Sequence, residues 1–346
     1  FTARTSTIEF AGSTAQSISS TTASVTLYHV ILNNSSGGVT GAGSLTTLAV
    51  QDLTLTQGTF TPGTITTLTA NGNITLTAGT LNCPTNLNAR GNWTNNGGTL
   101  GYGTNTVNFT GTGAQTINGT ASAESFYNLT INKTAGTLLN TGGSIATINC
   151  LNNLTQTLGN LTAPATLNIT GNYTLTAGTF TAGAMTNVGG NWSHSNSASA
   201  IFTPGTGTVN FNGSGTQSIT GTRGSETFYN VTVNKTAGSL LRGSASIATL
   251  NFQTYTQTTG DFTANTANTI VTTGAFTIHA GTFTAGTTVT QNGTFTINGG
   301  TYTAGTTTNL YGNTILNGGT YTAGTTTNVR GDWTHNSGAT YTTGTG

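Results

Sequence analysis

The sequence predicts an all-β fold, a parallel β-helix (β-solenoid) of ~20-residue coils running through residues 1–346 as one continuous body. Three observations predict it. The first is a period: Gly281-Thr-Phe-Thr-Ala-Gly286 returns as Gly300-Thr-Tyr-Thr-Ala-Gly305 and Gly319-Thr-Tyr-Thr-Ala-Gly324, with a step of 19 residues and a looser copy at Ala339–Gly344. The second is alternation, since each apolar residue stands between threonines, as in Thr301-Tyr302-Thr303, which is how a strand with one buried side reads. The third is composition: 34% hydrophobic and 4% charged residues leave too little material for a conventional core but enough for the thin core of a stacked coil. A 19-residue unit is also too short for a helical hairpin repeat.

The last three coils define the core columns. Phe283, Tyr302, Tyr321 and Tyr341 form one; Gln291, Leu310 and Val329 a second; Phe295, Thr314 and Trp333 a third. A longer motif, Thr-Val-Asn-Phe followed by Phe-Tyr-Asn-Leu-Thr-Ile-Asn-Lys, divides the chain. Its copies begin at Thr7, Thr106 and Thr208 and place three supermodules at 1–99, 100–201 and 202–346. Each opens with about two coils in which Leu129, Ile131, Val231 and Val233 point inward. Short coils follow, roughly 45–64, 65–85 and 86–103 in the first supermodule, 144–166, 167–185 and 186–205 in the second, and five from near Ile247 in the third. Every run closes on Gly91-Asn-Trp93, Gly190-Asn-Trp192 or Gly331-Asp-Trp333, the tryptophan being read as filler of a wide lumen. The count expected is about 17 coils at ~4.8 Å each.

Chemistry-bearing residues are few. The acids Glu9, Asp52, Glu124, Glu226, Asp261 and Asp332 fall in different coils, with no two in one column of neighbouring coils as a glycosidase pair requires. Glu124 and Glu226 are the same repeat position, as are Lys133 and Lys235, which assigns them to module architecture. His29, His194, His279 and His335 make no metal-ligand spacing and are read as surface or turn residues. Cys83 and Cys150 occupy core columns several coils apart, beyond the ~7 Å reach of a disulfide, and are read as buried thiols, with a cross-link between chains as the alternative. No enzyme, cofactor or metal site is expected. A net charge of +1 gives no stripe for nucleic acid or anionic lipid, and no apolar run is long enough to span a membrane. Asn-x-Ser/Thr triplets abound, a weak signal in a chain so rich in both residues. The pairs Thr282/Thr284, Thr301/Thr303 and Thr320/Thr322 would stack as two hydroxyl ladders. Such a face resembles that of ice-binding proteins, though outward threonine also suits any soluble strand.

The strings at 106–117 and 208–219, Thr-Val-Asn-Phe-x-Gly-x-Gly-x-Gln-x-Ile, resemble repeats of large secreted surface proteins, similar in architecture to filamentous adhesins and autotransporter passengers. The resemblance implies an extracellular, right-handed solenoid used as stalk, fibre or adhesive surface, and it carries no catalytic residue. The two ends repeat one element: Phe1-Thr-Ala-Arg-Thr-Ser6 and Tyr341-Thr-Thr-Gly-Thr-Gly346 both match Phe202–Gly207, the stretch ahead of Thr208. Neither end carries a polar cap, and Phe1 is read as the start of a processed or partial product. The expectation is a structural subunit of an extracellular filament or surface layer, its partner another copy of itself. Head-to-tail contacts are placed at Phe1, Thr2, Thr5, Thr7, Ile8 and Phe10 on one side and Trp333, Tyr341, Thr343 and Thr345 on the other. Phe283, Tyr302, Tyr321, Trp93 and Trp192 hold the core. The alternative is an adhesin or carbohydrate-binding stalk within a larger surface protein, touching glycans or host surfaces through many weak contacts.

Overall fold

The computed structural model describes residues 5–134, 136–195, 197–222, 224–236, 239–243, 246–264 and 268–344. Among them there is no helix; parallel strands stack in about 15 coils as a β-solenoid. By contacts the chain divides into two compact units, Phe1–Asn168 with Thr176–Thr181, and Ile169–Leu175 with Ala182–Gly346.

In the first unit three faces wind together. One runs from Thr7–Phe10 through His29–Asn33, Asp52–Gln57, Ile74–Leu76 and Trp93–Asn95 to Gln115–Gly119; the second from Gln16–Ser20 to Thr99–Gly101; the third from Ser24–Thr26 through Asn86–Ala89 and Thr106–Phe109 to Leu154–Leu158. The second face ends at Thr99–Gly101, and a new one opens at Ala123–Phe126 against Thr147–Cys150. In the second unit the same event occurs at Ser225–Asn234. This single long strand pairs back onto Thr208–Phe211 through its second half and opens a new face with its first.

That insertion explains two departures from expectation. The coils number about 15 and not 17, because a supermodule's opening coil is long: Trp93 meets Ile117, 24 positions on, and Trp192 meets Ile219, 27 on, against 19 from Tyr302 to Tyr321. The tryptophan markers also do not share one face. Trp192 lies below Ile219 on the face that continues through Leu241 and Phe262 into Phe283, Tyr302, Tyr321 and Tyr341. Trp333 lies on another face, above Phe295 and Thr314. Each new strand moves every later column round by one face.

The core follows the strand alternation. Leu129, Ile131, Val231 and Val233 are buried, as are Trp93, Trp192, Phe283, Tyr302 and Tyr321. Rings stack coil on coil, with Phe283 to Tyr302 at 5.5 Å and 9° and Tyr302 to Tyr321 at 5.1 Å and 24°, each such pair contributing ~0.5–1.5 kcal/mol beyond its buried area. Coil corners approach closely enough to require glycine. A Cβ on Gly305 would lie 1.5 Å from the Gly286 carbonyl oxygen, and Gly300 has φ +73°.

Candidate functional site

Four charged residues of this chain, Glu124, Lys133, Glu226 and Lys235, are turned inward and bonded there. Glu124 is buried at the start of the new face in the first unit. Trp93 Nε1–H and Asn95 Nδ2–H donate to its Oε2 at 3.1 and 2.9 Å, and Ser125 N–H donates to Oε1 at 3.2 Å. Burial pushes the Glu124 pKa up, while these donors pull the other way. Glu226 holds the same position in the second unit, and there His194 takes the place of Asn95. His194 Nδ1 lies 2.9 Å from Glu226 Oε2 and Nε2 lies 3.1 Å from the Ala200 carbonyl. Both ring nitrogens thus face an oxygen. His194 is therefore a buried partner of Glu226 at 3% exposure, not the surface or turn residue expected from sequence. Its sequence counterpart His335 is exposed.

Lys133 and Lys235 are also interior. Lys133 Nζ donates to the carbonyls of Gly111 and Gly113, at 3.1 and 2.9 Å, and to Gln115 Oε1; Lys235 repeats the set on Gly213, Gly215 and Gln217. Three acceptors match the three protons of an ammonium group. Burial lowers the pKa of each to about 8. In the first supermodule Asn34 does this work: its Oδ1 accepts the N–H groups of Gly37 and Gly38 at 2.7 Å, and its Nδ2 donates to Gln16 Oε1 at 2.9 Å. All three sets brace a glycine-rich loop against the coil. Cys83 and Cys150 are free and buried, and burial raises both thiol pKa values, that of Cys83 to about 12.

Outside, titratable groups are sparse. His29 Nδ1 pairs with Asp52 Oδ2 at 2.8 Å beside an open groove of about 330 Å³ that Thr7, Thr54 and Asn73 help to line. A second groove, about 640 Å³, is lined by threonine, alanine and glycine alone, from Ala285 to Gly344. Among the described residues no group of three or more His, Cys, Asp or Glu side chains gathers, and no helix is long and apolar enough to cross a membrane. The expected threonine ladders are present: Thr282, Thr301 and Thr320 stand in one register, and Thr284, Thr303 and Thr322 in another. Amide ladders, missed in the sequence, run beside them. Asn336 Nδ2 donates to Asn317 Oδ1 at 2.7 Å and Asn317 to Asn298 at 2.8 Å.

The residues assigned from sequence to a head-to-tail contact lie on coil edges. Thr5 and Thr7 are exposed, and Ile8 and Phe10 are half-buried on a strand paired on one side only, against His29–Asn33. At the other edge Val329, Trp333 and Tyr341 are 40%, 36% and 44% exposed, while Leu310, Thr314 and Tyr321, one coil below, are 0%. With Thr327 these three line a shallow hollow of about 270 Å³. Thr343 is exposed; Phe1, Thr2 and Thr345 lie outside the described residues. The chain matches no family model, no curated protein and no solved structure.

Proposed function

We propose that this chain is a non-catalytic structural shaft of an extracellular filament or surface layer, extended by stacking of one coil on the next, head to tail between copies. The observation that carries this reading is the destination of its interior acids and bases: Glu124, Glu226, His194, Lys133 and Lys235 are all spent on holding coils together. The outer surface carries hydroxyl and amide ladders with few charges, among them Glu9, Arg90, Arg330 and Asp332. The aromatic edge at Val329, Trp333 and Tyr341 suits the stacking of a further coil, from a copy or from the same polypeptide, which would bury those rings as Tyr321 is buried.

Electron microscopy and sedimentation of the purified chain at neutral pH test the proposal. Uniform fibres that shorten in Trp333→Ala and Tyr341→Asp support copies joined at this edge. Monomeric rods at all concentrations overturn the head-to-tail form and favour the second reading, a stalk segment of a larger adhesive surface protein, in which further coils come from the same polypeptide.

A further inference from the structure

The corner after the strands Thr269–Thr272, Thr288–Gln291, Thr307–Leu310 and Thr326–Val329 carries an Xaa-Gly-Xaa turn, and in one of these four coils that turn is Asn292-Gly293-Thr294, an acceptor triplet for N-linked glycan. Most other triplets that the sequence offers sit where the asparagine amide is needed. Asn73 Oδ1 accepts Asn92 N–H and Asn92 Oδ1 accepts Thr116 N–H, both at 2.9 Å, while Asn128 and Asn230 donate to the carbonyls of Thr104 and Thr206. Asn292 differs. Its backbone N–H is held by the Thr272 carbonyl, but its side chain is exposed and makes no hydrogen bond, and Thr294 is exposed too.

A ring stands next to it. Leu310 pairs with Gln291 and Val329 with Leu310, so the following residues Asn292, Tyr311 and Arg330 occupy one corner position in three successive coils, ~4.8 Å apart. Tyr311 is 37% exposed. Arg330, on the coil beyond it, stacks on its ring at 4.3 Å, and Asn292 lies on the coil before it. An ordered aromatic side chain one coil from a free asparagine amide is a platform for the apolar face of a sugar.

We propose that Asn292 is an N-glycan attachment site and that Tyr311 packs against the first sugar. This inference rests on the extracellular reading, since the transfer needs a membrane-bound oligosaccharide transferase and a lipid-diphosphate-linked oligosaccharide. In the transfer Asn292 Nδ2 forms a bond to the anomeric carbon, and the bond from that carbon to the diphosphate oxygen breaks. The lipid diphosphate leaves, and the amide proton passes to a base of the transferase.

The test uses the folded, unglycosylated chain, incubated with such a transferase and lipid-linked oligosaccharide and then mapped by peptide mass. The expected result is a glycan increment on the peptide holding Asn292, lost in Asn292→Gln and in Thr294→Ala, with Asn73 and Asn92 unmodified. Tyr311→Ala should retain the increment but lose the ring-current shift of the first sugar's N-acetyl methyl protons. A bare Asn292 in the folded chain overturns the site, and an unchanged methyl shift in Tyr311→Ala overturns the role of the ring. Fractionation of the source cells is a separate check. A chain retained in the cytoplasm overturns the extracellular reading, whereas a secreted chain with bare Asn292 overturns the site alone.

Discussion

Tyr302 carries a hydroxyl into the interior of a coil, and the residue six positions on receives it. Tyr302 bonds Thr308 at 3.2 Å and Tyr321 bonds Thr327 at 3.1 Å, whereas Phe283, with no hydroxyl, has Val289 at the corresponding place. Three copies of one coil thus pair a polar ring with a polar partner and an apolar ring with an apolar one. Thr308→Val should cost ~1–2 kcal/mol because it strands the buried phenol, and Tyr302→Phe in the same chain should recover most of it, a coupling that a double-mutant cycle in denaturant measures. The thiols give a second prediction. Cys83 and Cys150 should resist alkylation in the folded chain and react fully in denaturant. With its folded pKa at about 12, above the ordinary 9.0, Cys83 keeps its proton where the unfolded chain releases it. Its contribution to stability is whole below about pH 9 and declines as pH rises through about 12, so Cys83→Ala should flatten the alkaline fall in melting temperature.

At the scale of elements, the braces are what each supermodule adds to a plain short coil. The long opening coil starts a new face, and the carboxylate at its first strand ties that face to the coil below through Trp93 and Asn95 in one unit and His194 in the other. Removing one member leaves the other buried without its partner. Glu226→Ala should therefore destabilise the chain by ~3–5 kcal/mol, and Glu226→Ala with His194→Phe by less than the sum of the single changes, as read from urea unfolding. For Lys133 and Lys235 the sign with pH is opposite to that of the thiols. Folded pKa values of about 8 against an ordinary 10.5 mean that the folded chain binds fewer protons between those limits, so stability gains from each lysine as pH rises from 8 to 10.5. The melting-temperature gap between the natural chain and Lys133→Met should widen in favour of the natural chain across that window.

For the whole molecule, stability is nearly a sum over coils and their neighbours. Damage should then stay local: Gly305→Val, which would set a side chain against the Gly286 carbonyl, should expose amides of the neighbouring coils to hydrogen exchange while Phe109 and Trp93 remain protected. The same additivity makes an edge coil the weakest one, with Trp333 and Tyr341 packed from one side only. Anything that stacks there, a copy or a designed capping coil, should raise the melting temperature with the logarithm of its concentration once that exceeds its dissociation constant.

The sequence by itself determined the strand repeat, the inward columns of the last coils, the burial of both cysteines and the inward place of Trp93 and Trp192. It could do so because alternation and a strict 19-residue step report directly which side chains share a face. It also marked Glu124 with Glu226 and Lys133 with Lys235 as parts of the modules. The partners of those groups were decided only by the fold. Glu124 and Trp93, and Glu226 and His194, are about thirty positions apart and on different strands, and they meet because an inserted strand opens a new face at that point. A column read down the sequence keeps its register only while coil length is constant. Where the coil lengthens to admit that strand, every later column moves to another face, and no local spacing records the turn.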